Sequence, residues 1–96
     1  MFVITLRFAD KTKAPQFMDG HSAWIKRGFD DGVFLLAGNL QPSAGGAILA
    51  HNVSPEEIEV RVQDDPFVAQ GVVSAEILAI APGRTDGRLA FLKAEP

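Results

Sequence analysis

The chain has 96 residues, 47% of them hydrophobic, and carries 9 Lys and Arg against 12 Asp and Glu for a formal net charge of -3. It has no cysteine, which excludes disulfide scaffolds, thiol catalysis and zinc sites built on thiolates. No basic stripe stands out, so nucleic acid is not an expected partner, and no apolar run approaches the ~20 residues needed to span a membrane.

The length suits one domain with a small core, and the reading is a single unit over 1–96 with a core over 1–82 and a tail after Pro82. The apolar content is high for so small a core, and a subunit interface is the natural place for the excess. The start, Met1-Phe2-Val3-Ile4-Thr5-Leu6-Arg7, lacks the charged lead of a signal peptide. A soluble cytoplasmic protein is the expectation.

Phe2 to Phe8 alternates, with Phe2, Ile4, Leu6 and Phe8 on one face and Val3, Thr5 and Arg7 on the other. That period of two predicts a strand. After a polar connection, Ala14 to Asp31 reads as a helix with Pro15 in its first turn and Gly32 closing it. Phe17, Met18, Trp24, Ile25 and Phe29 form its apolar stripe, and His21 sits within that stripe. Val33 to Ala37 reads as a strand buried on both faces, 38–46 as a Gly- and Pro-containing loop, and Ala47 to Ala50 as a strand that returns as a hairpin.

Ser54-Pro55-Glu56-Glu57 is a capping box with proline at N1, so a second helix starts there and runs to about Val62. Asp65-Pro66 repeats that arrangement on a smaller scale and predicts a helical turn from Pro66 to Gln70, stopped by Gly71. Val72 to Ala81 reads as the last main strand, Arg84 to Gly87 as a turn, and Leu89 to Lys93 as a short edge strand.

The order β-α-β-β-α-β predicts a ferredoxin-like α+β fold with an antiparallel sheet. Helices then cover one face only. Strands apolar on both faces argue that a second copy covers the other, giving a dimer packed sheet on sheet.

The first strand, His21 on the first helix, the loop glycines Gly38, Gly45 and Gly46, and Asp64-Asp65-Pro66-Phe67 followed by Gly71 and a strand form an ordered set. Over residues 1–82 this set resembles the YciI-related domain family of the dimeric α+β barrel superfamily. The resemblance implies a homodimer with a pocket in each subunit lined by a His–Asp dyad, which falls here on His21 and Asp65. It gives no substrate.

Each candidate has a plain structural role beside the functional one. His21 is either a hydrogen-bonded core histidine or, beside a carboxylate, an acid–base group. Asp65 caps a helical turn; one oxygen is expected on the cap and the other toward His21, with Asp64 the alternative partner. Ser43 is a candidate to line the pocket or donate to a bound anion, against ordinary turn chemistry. Trp24 is core or an aromatic wall for a flat substrate. Arg7 is a surface or interface charge, with a substrate carboxylate as the minor alternative, and Glu76 in the last strand is a guessed partner for it. His51 reads as a solvated loop residue.

The functional expectation is a small-molecule enzyme of lyase, isomerase or hydrolase type, with His21 as acid or base and Asp65 orienting it, acting on a small cyclic or aromatic compound. Nothing in the sequence calls for a cofactor or metal. The alternative is a ligand-binding or sensing module on the same dimer. A third reading, a haem-degrading or cofactor-independent monooxygenase, shares the barrel but lies on another branch.

Overall fold

The computed structural model describes residues 1–94. Four strands, β1 (Phe2–Phe8), β2 (Phe34–Leu40), β3 (Gly45–Ala50) and β4 (Val73–Ala79), form an antiparallel sheet in the order β2-β3-β1-β4. Helix α1 (Ala14–Asp30) joins β1 to β2, and α2 (Pro55–Gln63) with the one-turn α3 (Pro66–Ala69) joins β3 to β4. This is the ferredoxin-like α+β arrangement that the element order predicts.

The alternation of β1 translates directly into burial. Phe2, Ile4 and Leu6 are buried, and Val3, Thr5 and Arg7 are not. Trp24 of α1, Ile58 and Val62 of α2, Phe67 of α3 and Phe34 of β2 complete the same core. Each such side chain contributes about 1.5–3 kcal/mol on full burial.

Local signals fix the helices. The Glu57 amide donates to Ser54 Oγ at 3.1 Å and the Ser54 amide donates to Glu57 Oε1 at 3.4 Å, so the capping box forms. Between α1 and β2 the backbones come close. A Cβ on Gly28 would lie 2.1 Å from the Phe34 ring, so glycine is what lets that ring lie against the helix.

Among the described residues no helix packs on the opposite sheet face. Leu36, Leu49, Val3 and Leu78 stand opposite one another on successive strands and form one apolar row across it. Leu36 is 51% exposed and Leu78 47%.

Several expectations need correction. The segment 38–46 is mostly sheet: Gly38 pairs with Ala47, Asn39 with Gly46 and Leu40 with Gly45, and only 41–44 turns. The glycines suggested a loop, but Gly45 is needed within the ladder. Its φ is +130°, and a Cβ there would lie 1.9 Å from the Leu6 carbonyl oxygen.

The edge strand expected at Leu89 to Lys93 is instead a 3-10 helix, Gly87–Ala94. Asp86 starts it, accepting from the Arg88 amide on its side chain at 2.9 Å and from the Leu89 amide on its carbonyl at 2.9 Å. Leu92 is buried there, and Phe91 meets His51 edge-on at 5.6 Å. His51 is therefore half-buried against the tail and not a solvated loop residue.

Candidate active site

The site is assembled around the junction of α1 and α3. Asp65 follows α2 and precedes Pro66, so its backbone stays extended, at φ -66° and ψ 121°. In that conformation its side chain turns back on the new helical turn, and Oδ1 accepts from the Phe67 amide at 3.0 Å. Gly20 on α1 admits Pro66 beside it, because a Cβ there would meet the proline ring at 3.0 Å. The next residue, His21, then reaches the same oxygen: Nδ1 to Asp65 Oδ1 is 2.8 Å.

Asp65 is fully buried, whereas the His21 side chain keeps 14% exposure. Oδ1 serves both partners, and Oδ2 is buried and accepts no hydrogen bond from the described residues. This corrects the expected division of one oxygen for the cap and one for the histidine. It also selects Asp65 over Asp64, which caps the C-terminus of α2 and is exposed.

The imidazole ring is clamped as well as bonded. It stacks on Phe67 with centroids 4.0 Å apart and planes within 4°. A carboxylate oxygen only accepts, so in the neutral ring Nδ1 carries the proton. Nε2 is then the nitrogen left for a ligand, with a lone pair able to take a proton.

A cavity of about 590 Å³ opens between the first half of α1 and the β2–β3 hairpin. That volume lies within the ~300–1,000 Å³ of small-molecule sites. His21, Ser22 and Met18 line it from the helix, Asn39, Gln41 and Ser43 from the hairpin, and Leu6, Phe8 and Phe67 supply apolar wall. Ser43 adopts a positive φ of 53° in the turn and is exposed at the rim. A Cβ on Gly46 would meet only the Gly38 carbonyl oxygen, at 3.3 Å, so the glycines of the hairpin leave this side of the cavity open.

Two expected site residues lie elsewhere. Trp24 is 1% exposed, its indole N–H donates to the Arg61 carbonyl at 2.8 Å, and it does not line this cavity. Trp24 and Asp64 instead border a separate surface groove with Arg27 and Arg61. Arg7 belongs to the face away from the helices, opposite Ser74, while Glu76 stands opposite Thr5. No Arg7–Glu76 ion pair occurs among the described residues.

Sequence reasoning gave Phe67 and Lys11 no role of their own. Phe67 had a signal: its amide is the one that Asp65 caps, so its ring must lie near whatever Asp65 binds. Lys11 had none, because it lies in the polar connection before α1 and only the fold brings that connection to the cavity. Among the described residues, no cluster of three or more His, Asp or Glu is arranged to hold a metal, and no helix is long and apolar enough to cross a membrane.

No family model matches the chain, and no curated protein matches it. Among solved structures it is similar to 5-chloro-2-hydroxyhydroquinone dehydrochlorinase (TftG) from Burkholderia phenoliruptrix AC1100, in complex with 2,5-dihydroxybenzoquinone. The identity is 15%, the match covers 86% of this chain and 96% of that one, and the TM-score is 0.63. At that identity the likeness establishes the α+β fold. The YciI-related family itself stays a resemblance.

Proposed function

We propose that the chain is a cytoplasmic, homodimeric enzyme that uses His21 and Asp65 for general acid–base chemistry on a small cyclic or aromatic compound. The observation that carries this reading is the 2.8 Å bond by which His21, in the wall of a ligand-sized cavity, is tied through Nδ1 to a fully buried carboxylate behind it. His21 Nε2 takes a proton from the substrate, and Asp65 holds the ring and stabilises the imidazolium that forms. The proton then returns to the leaving group or to another atom of the product.

Within the lyase, isomerase and hydrolase classes, elimination is the first choice. TftG is a dehydrochlorinase, and its complex contains a quinone. In such a step His21 removes a proton, the leaving group departs with its bonding electrons, and a double bond forms in the ring compound. Ser43 and the amides of Asn39 and Gln41 orient the substrate's oxygens. The apolar row Leu36, Leu49, Val3 and Leu78, half exposed at its two ends, supports dimerisation sheet on sheet.

The test is turnover of a panel of chlorinated and unsubstituted hydroxyhydroquinones, followed by absorbance and chloride release. His21→Gln is expected to lower kcat by about 10²–10⁴-fold with the fold intact. Turnover that survives the substitution removes His21 from the mechanism. A ring compound that binds tightly and is recovered unchanged places the site in the binding-module class.

A further inference from the structure

We infer that the cavity is built to hold the oxyanion of a small ring compound, with Lys11 as its counter-charge. The inference deepens the acid–base reading and takes from it only the identity of the cavity. Among the lining residues Lys11 is the one lysine or arginine, and no aspartate or glutamate lines the cavity. That asymmetry runs against the chain as a whole, which has 12 acidic residues and 9 basic ones. Asp65, the carboxylate bonded to His21, is 0% exposed and does not reach the lining.

Lys11 is also not drawn away by a carboxylate, as several of the other cations are. Lys13 donates to the Gln70 carbonyl at 3.3 Å and lies 4.0 Å from Asp10. Lys26 pairs with Asp30, Arg61 with Asp31, and Arg88 with Asp86. Asp10, next to Lys11 in sequence, turns its carboxylate to the Thr12 amide and hydroxyl. Lys11 forms no ion pair among the described residues; its Nζ sits 5.1 Å from the centroid of the Phe8 ring, and that ring is itself cavity wall. The ring quadrupole holds the ammonium over the wall.

The chemistry requires such a charge. A base that removes a proton from a neutral ring compound leaves an anion, and an anion among Leu6, Phe8, Met18 and Phe67 is poorly solvated. A fixed ammonium beside that wall stabilises it more than it stabilises the neutral compound. Asn39, Gln41 and Ser43 add uncharged donors on the far side.

The probe is 4-nitrophenolate, titrated in mildly alkaline buffer against the full chain by amide NMR, with uncharged 4-nitroanisole as the control of similar shape. The expected result is binding that shifts Lys11 and the hairpin amides, with 4-nitroanisole weaker than the phenolate. Lys11→Met should weaken the phenolate by roughly two- to fivefold, the scale of one exposed charge pair, and Lys11→Arg should restore most of it. Lys11 is exposed, so neither variant threatens the core. Equal affinity in Lys11→Met, equal affinity for 4-nitroanisole, or no phenolate binding each overturns the inference. Failure of the acid–base reading looks different: Lys11-dependent binding that leaves the His21 ring signals unmoved supports the anion site and removes His21 from it.

Discussion

Asp65 carries two tasks on one atom. Its Oδ1 starts α3 through the Phe67 amide and fixes the His21 ring through Nδ1, so cap and site are the same geometry. Oδ2, buried and accepting no hydrogen bond from the described residues, costs stability, about 1–3 kcal/mol by the usual penalty for such a group. Asp65→Ala removes that penalty together with the cap, and the cap alone is worth about 0.5–2 kcal/mol. A cavity and an unpaired His21 nitrogen are left as well. The expected net effect is a loss of about 1–2 kcal/mol, read as a lower urea midpoint with an unchanged slope. Asp65→Asn keeps an oxygen for both donors and should lose less. An Ala variant as stable as the parent would mean that Asp65 is not a structural cap.

At the scale of elements, sequence was most informative where one rule acted alone. The alternation of β1 and the capping box before α2 need nothing beyond their own residues, and both formed as read. Asp65-Pro66 was also legible, because proline restricts the residue before it whatever the surroundings. Failure came where tertiary contacts outweighed local preference. Gly38, Gly45 and Gly46 have loop composition, yet β2 and β3 pair through them because Leu6 passes too close to Gly45 for any side chain. Leu89 and Phe91 alternate like a strand, but Asp86 initiates a 3-10 turn, and Leu92 is the residue that turns inward. His21 and Asp65 could be nominated from sequence. That Trp24 would be sealed under Arg61, and that Lys11 would reach the cavity, depends on helix packing that no local pattern records.

At the scale of the whole molecule, the uncovered sheet face is the largest fact not accounted for within one chain. Leu36 and Leu78 are about half exposed in a row that continues through Leu49 and Val3. Patches of this kind on a sheet mark association. A second copy laid on this face buries the row and leaves each cavity, on the helix side, accessible. Leu78→Asp is therefore expected to convert a dimer to a monomer in sedimentation velocity while preserving the far-UV spectrum. A parent chain that sediments as a monomer at all concentrations would refute the dimer.

The central claim is that Asp65 holds His21 with Nδ1 protonated and Nε2 free for the substrate. Long-range ¹H–¹⁵N spectra of the neutral His21 ring test it most directly, since they distinguish the two nitrogens without any ligand or substrate. The account requires a protonated Nδ1 and an unprotonated Nε2, a pattern that His51 serves to reference in the same sample. The opposite tautomer, with the proton on Nε2, would mean that Asp65 does not accept from the ring, and the proposed base would have no lone pair to offer.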